Sequence, residues 1–109
     1  MRFIETPIFM REIDRLLSEE EQRELQNTLL ENPEIGTLMV GTHGARKMRF
    51  GQAHKGKSGG LRVIYAVIND SIWLFLVYPK KDASDLSGAG KKALGQLIER
   101  LKHATQKEN

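Results

Sequence analysis

Six cationic side chains lie close together in the middle of this 109-residue chain, where carboxylates are absent. No Asp or Glu occurs between Ile35 and Asn69, and the cations of that interval are Arg46, Lys47, Arg49, Lys55, Lys57 and Arg62. Two like charges about 4 Å apart cost about 4 kcal/mol at an effective dielectric of about 20. Such a cluster therefore predicts an anionic partner, and a solvated basic loop is the alternative.

The remaining charge is distributed unevenly, although the net charge is only +3. Residues 1–34 carry nine acids and four bases, residues 35–81 one acid and eight bases, and residues 82–109 four acids and five bases. The middle of the chain is therefore the part expected to face a partner.

Several chemistries are disfavoured by composition. The chain has no cysteine, which excludes a thiol nucleophile and thiolate metal ligands. His43, His54 and His103 show no metal-ligand spacing such as HExxH, so we expect neither a metal nor another cofactor. The N-terminal residues lack the apolar core of a secretory signal, and the longest apolar run, Ile72 to Tyr78, is far below the roughly 20 residues of a membrane span. We expect a soluble cytoplasmic protein without membrane contact.

The elements around the basic interval predict an α+β fold. Apolar residues at spacings of three to four indicate helices, with Ser18 as an N-cap, and dense or alternating apolar runs indicate strands. The predicted order β-α-α-β-β-β-α comprises a strand over Arg2–Thr6, helices over Ile8–Leu17 and from Ser18 to about Glu31, strands over Ala45–Phe50, Leu61–Ile68 and Ile72–Tyr78, and a helix over Lys91–His103. We expect one small domain over residues 1–109, with the N-terminal helix hairpin on one face of an antiparallel or mixed twisted sheet.

Three segments are less regular. Residues 35–42 read as a loop or a short irregular strand, and the glycine-rich residues 51–60 as a mobile hairpin loop. The tail from Ala104 onward is expected to fray.

Four cations are expected to meet at one end of the sheet. Alternation places Lys47 and Arg49 on one strand face, and pairing across the glycine-rich loop brings Arg62 toward Arg49. Lys81 leaves the last strand at the same end. Such a cluster can stabilise a phosphorane-like transition state, and a lysine among cations has a lowered pKa and can act as a base. RNA would supply its own 2′-hydroxyl nucleophile.

Other polar and aromatic residues have simpler interpretations. His43 and His54 are general-base candidates by side-chain type, but no acid nearby in sequence would orient them. Lys55 and Lys57 are expected only to attract phosphate. Aromatic residues inside apolar strands are more often core than base-stacking platforms, and this applies to Phe50, Trp73 and Phe75, while Tyr65 and Tyr78 are expected to be structural with their hydroxyls at the rim.

The runs RKMRF, KGKSGGLRVIYAV and LVYPKKDASDLS resemble the RelE/HigB superfamily of type II toxins, the HigB branch most closely. The resemblance covers nearly the whole chain, and its specific part is residues 46–86. It implies a RelE-like fold and a ribosome-dependent endoribonuclease, an mRNA interferase that halts translation. It also implies a co-expressed, HigA-like antitoxin encoded by an adjacent gene, with the ribosome and mRNA as further partners.

Site residues carry over from this resemblance by position. Lys47, Arg49, Arg62 and Lys81 match the family's catalytic cations, with Arg62 implied for the transition-state charge and Lys47 for activating the 2′-hydroxyl, since arginine is a poor base. The residues expected to bind RNA are Arg46, His54, Lys55, Lys57 and Lys80. One departure is that well-known members carry a tyrosine where this chain has Ser87, which leaves the acid-base assignment open.

Two other functions fit the same architecture. One is a gyrase-directed toxin resembling the ParE branch, against which the four cations argue. The other is a non-catalytic module that binds RNA or a ribosomal surface.

Overall fold

One mixed sheet of five strands forms the centre of the protein in residues 1–51, 60–82 and 86–107, which this computed structural model describes. The strands are β1 (Arg2–Glu5), β2 (Thr37–Leu38), β3 (Arg46–Phe50), β4 (Leu61–Ile68) and β5 (Ser71–Pro79). Their spatial order is β1-β5-β4-β3-β2, with β1 parallel to β5 and the other pairs antiparallel. The predicted α+β class is confirmed, and the irregular segment contains the short edge strand β2.

Two N-terminal helices, α1 (Pro7–Leu16) and α2 (Glu19–Glu31), follow β1. Ser18 caps α2 as predicted, because its hydroxyl accepts from the Glu21 amide at 3.1 Å while the Glu21 carboxylate accepts from the Ser18 amide at 2.9 Å. Ile8 and Leu30, two apolar residues of these helices, are exposed. The buried face of each helix therefore does not include all of its apolar residues.

The sheet is covered on both faces by different helices. On one face, Phe9, Ile13, Leu25 and Leu29 of α1 and α2 pack with the inward residues of β3, β4 and β5. On the other face, α3 (Gly88–Lys107) packs through Leu94 and Ile98. The apolar density of β4 and β5 is explained by this double burial.

A β-bulge divides β5 into two halves. Ile64 pairs with Leu76 and Tyr65 pairs with Leu74, so Phe75 is an extra residue without a partner on β4. The Phe75 carbonyl accepts a hydrogen bond from the Thr6 hydroxyl at 2.8 Å, and the same hydroxyl accepts from the Phe9 amide at 3.1 Å as the N-cap of α1. Thr6 therefore fixes the start of α1 and the position of the bulge together.

The C-terminal helix is longer than predicted. It begins at Gly88, directly after the Ser87 cap, and continues to Lys107, so residues 104–107 are helical. Ala104, Gln106 and Lys107 are good helix formers, which explains the extension. The predicted mobile loop falls mostly on residues 52–59, outside the described residues. None of the helices in the described ranges combines the length and apolar character needed to cross a membrane.

Replacing Thr6 by Val should destabilise the protein by about 2 kcal/mol, since an N-cap and a hydrogen bond to a strand carbonyl are lost together. Urea unfolding would measure the change. Thr6→Ser retains the hydroxyl and should recover most of the stability. An equal loss in both variants would show that the hydroxyl is not the cause.

Glu5→Gln should stabilise the protein at neutral pH and have little effect in acid. Burial, and secondarily the charge of Asp14, raises the pKa of the half-buried Glu5 carboxyl above its ordinary 4.5. The folded state therefore binds more protons than the unfolded state, and stability falls as the pH rises through the folded pKa. Melting temperatures compared at about pH 4 and about pH 7 would show the difference. Glu24→Gln, at an exposed position of α2, is the control. An equal gain there would assign the effect to net charge.

Candidate active site

Three side chains form a row across β3, β4 and β5 at one end of the sheet. Arg49 pairs directly with Arg62, and Arg62 pairs directly with Tyr78. Side chains of directly opposite residues lie on the same face, with neighbouring Cβ atoms about 5 Å apart. Because Met48, Phe50, Leu61 and Val63 belong to the core under α1 and α2, the row lies on the opposite, α3 face.

The predicted proximity of Arg49 and Arg62 is therefore present in the strand register. Arg49 is exposed, and Arg62 and Lys47 are half-buried. Lys47 lies on the same face, two residues before Arg49 on β3 and opposite Ile64. Like charges directly opposite each other destabilise a sheet. An anion lying between them would remove that repulsion.

A tight corner brings the residues after β5 to the same sheet end. The Lys80 amide donates to the Gly60 carbonyl at 3.1 Å, and both Lys80 and Lys81, in the short 3-10 helix Lys80–Asp82, are exposed. Gly60 has a φ of 52°, and a Cβ there would lie 2.6 Å from the Phe50 carbonyl oxygen. Only glycine fits at this corner, which joins the ends of β3, β4 and β5.

The helix α3 covers the rest of this face and does not extend over the row. Leu94 and Ile98 pack with Ile64, Ala66 and Ile68, which lie further along β4 than Arg62. Ser87 caps the helix, with its hydroxyl accepting from the Gly90 amide at 3.0 Å. The row is thus bordered by α3 and not buried under it.

Arg46, a predicted RNA contact, lies away from the row. One of its guanidinium nitrogens donates to the carbonyl oxygens of Glu34 and Gly36, at 3.1 and 2.7 Å. Its cross-strand partner Tyr65 holds the same segment, donating to the Pro33 carbonyl at 2.8 Å and accepting from the Gly36 amide at 2.9 Å. The hydrogen bonds of Arg46 and Tyr65 thus hold the turn after α2 against the sheet.

The two tyrosines of the predicted rim have different surroundings. Tyr65 is fully buried, so its structural role is confirmed but its rim position is wrong, and burial raises the pKa of its hydroxyl. Tyr78 is half-buried and lies in the row, a position that sequence reasoning missed. Phe50 and Phe75 are core residues as predicted, and the half-buried Trp73 stacks on Phe75 with ring centroids 6.2 Å apart.

Histidine contributes little to the described part of this site. His54, Lys55 and Lys57 lie outside the described residues. His43 lies before β3, at the far end from the row, where its Nδ1 is 3.9 Å from an oxygen of Glu99 on α3 and Lys102 donates to its carbonyl. The acid that sequence could not supply therefore comes from α3, although both side chains are about half exposed.

The residues that the structure describes offer no metal centre at the row, and the groove formed by Pro33, Leu38, Arg46 and Val67 lies apart from it. Across the described ranges, no group of three or more His, Asp or Glu side chains is placed to hold a metal ion. A groove of about 530 Å³, lined in part by Pro33, Leu38, Arg46 and Val67, contains none of the row residues. Within the described residues, Arg49 is exposed and Arg62 and Tyr78 are half-buried, so the row is in contact with solvent.

No protein-family model matches the sequence. The structure is similar to that of the E. coli toxin RelE, solved in the free state as a double mutant, with a TM-score of 0.54 and 19% sequence identity. The match covers 75% of this chain and 85% of that chain. The likeness shows a RelE-like fold, as the sequence resemblance implied.

Arg46→Met should destabilise the protein, whereas Arg49→Met should not. Arg46→Met removes two charge-assisted hydrogen bonds and should cost about 1–3 kcal/mol. Arg49→Met removes a like charge opposite Arg62 and should leave stability within about 0.5 kcal/mol or raise it at low salt. Urea unfolding at two ionic strengths would compare them. Equal losses would contradict the separation into one structural and one site arginine.

Proposed function

We propose that this protein is the toxin of a type II toxin-antitoxin system and that it cleaves mRNA on the ribosome through the RNA 2′-hydroxyl. The observation that carries the proposal is the direct pairing of Arg49 with Arg62 on the α3 face of the sheet, where Arg49 is exposed and Arg62 half-buried. A RelE-like fold supports the toxin class. The HigB-like branch rests on the sequence motifs quoted above.

Each cation has a distinct task in this proposal. Arg62, central in the row, binds the non-bridging oxygens of the scissile phosphate, because a guanidinium holds two oxygens at once. Arg49 and Lys81 add positive charge on either side as the phosphorane forms. Lys47 takes the proton of the 2′-hydroxyl. The ribosome supplies the in-line geometry that these side chains do not impose on a flexible RNA.

The partners follow from the same surface. We expect an antitoxin of HigA type, encoded by an adjacent gene, that is acidic where it meets residues 45–62, or that displaces or covers that sheet. The protein would act in the cytoplasm, where ribosomes and mRNA are present. Lys80 at the end of the row, together with His54, Lys55 and Lys57, is expected to attract RNA; the carbonyl contacts of Arg46 limit it to a supporting role.

Primer extension on a translated mRNA, with and without ribosomes, tests this function. The wild-type protein should cut only ribosome-bound mRNA, leaving a 2′,3′-cyclic phosphate and a 5′-hydroxyl. Arg62→Ala should lower the single-turnover rate by about 10²–10³-fold, because it removes a principal transition-state contact. Arg100→Ala, at an exposed position of α3, is the matched control and should cut normally.

The outcomes separate the competing functions. Growth arrest and cleavage that survive Arg62→Ala, with ribosome binding unchanged, would refute the catalytic proposal. Equal cleavage of naked RNA would refute ribosome dependence. No cleavage by the wild type, with inhibition of gyrase supercoiling, would favour the ParE-like function, and ribosome binding alone would favour the non-catalytic module.

A further inference from the structure

The bulge at Phe75 decides which face of the sheet Tyr78 occupies. Leu74 and Val77 lie in the core under α1 and α2, whereas Phe75, Leu76 and Tyr78 lie toward α3. In a regular strand, residues 74, 76 and 78 would share one face. The extra residue reverses the alternation, so that Tyr78 stands beside Arg62 and not under the helix hairpin.

The hydroxyl of Tyr78 is available for a ligand. The ring packs at the edge of the α3 core, and no residue in the described ranges hydrogen-bonds to the hydroxyl. Every buried side-chain oxygen or nitrogen in those ranges has a hydrogen-bond partner. Because the Tyr78 hydroxyl has no such partner, it is not buried and is in contact with solvent. Tyr65, by contrast, has two partners for its buried hydroxyl. Tyr65 on β4 thus has a structural role, and Tyr78 on β5 presents its O–H group to the site.

We propose that Tyr78 is a catalytic residue that protonates the 5′-oxygen leaving group, an inference that rests on the proposed function. The 2′-oxygen forms a bond to phosphorus as its proton passes to Lys47, and the bond from phosphorus to the 5′-oxygen breaks. The Tyr78 proton passes to that oxygen, which gives a 5′-hydroxyl and a 2′,3′-cyclic phosphate. The tyrosinate then regains a proton from water, and Lys47 releases the proton it accepted to water, so both side chains return to their starting states.

The neighbouring side chains are poorer donors for this step. Arginine side chains act as fixed positive charges and are poor proton donors, which disfavours Arg49 and Arg62 for this step. Lys47 must begin the reaction without its extra proton to serve as the base. Tyr78 carries an O–H group, is in register with Arg62, and is about 5 Å away from it at Cβ, so one phosphate can contact both side chains. Lys80 and Lys81 are the remaining candidates.

A substrate whose leaving atom needs no proton isolates this role. The wild-type cleavage position is first mapped on ribosome-bound mRNA, and a second mRNA then carries sulphur in place of the bridging 5′-oxygen at that position. A thiolate leaves readily without protonation. Tyr78→Phe should slow single-turnover cleavage of the oxygen substrate by about 10²–10⁴-fold. It should cut the sulphur substrate at close to the wild-type rate.

Controls distinguish proton donation from binding or folding. Arg62→Ala should slow cleavage of both substrates. Tyr78→Phe should have the melting temperature of the wild type, because the substitution removes only a solvent-exposed hydroxyl. If Tyr78→Phe slows both substrates equally or neither, Tyr78 is not the proton donor. Rescue by sulphur in Lys80→Met or Lys81→Met, but not in Tyr78→Phe, would assign the role to that lysine. If the wild type cuts neither substrate, the proposed function fails as well, whereas normal wild-type cleavage confines the failure to Tyr78.

Discussion

The hydrogen bond from the Thr6 hydroxyl to the Phe75 carbonyl is the contact on which the arrangement of this protein depends most. It joins the first strand, the first helix and the bulge of β5 at one point. A bulge leaves a carbonyl without its ladder partner, and a buried carbonyl without a donor costs about 1–3 kcal/mol. The threonine supplies that donor. The reversed alternation beyond the bulge then determines which side chains of β5 lie under α1 and α2 and which lie on the α3 face.

The sheet face that carries the row of Arg49, Arg62 and Tyr78 combines firmly packed strands with an unfavourable local charge distribution. The apolar residues of β4 are buried on both sides, so its position is fixed by packing that does not involve the cations. Arg49 and Arg62 are then held opposite each other although they repel. Two cations held together in this way would favour an anion placed between them, because the cost of bringing the charges together has already been met by folding.

Local sequence patterns predicted much of this site. The pairing of Arg49 with Arg62 followed from two short strands joined by a glycine-rich loop, and the alternation around Met48 gave the correct faces. The face of Tyr78 was not predictable, because an unbroken apolar run such as Ile72–Val77 has no polar residue to mark an inserted position. The carbonyl partners of Arg46 were equally hidden, since they lie on a turn whose path depends on tertiary packing.

The pairing of β1 with β5 has a consequence for the order in which the chain can fold during synthesis. Arg2 aligns with Ser71 and Glu5 with Leu74, so the first strand has no partner until the last strand has emerged. The Thr6 contact likewise spans 69 positions. Long-range parallel contacts of this kind form late, because a long loop must close first. The nascent chain would therefore lack a completed sheet until most of it has been made, so the folded protein can form only near the end of its synthesis.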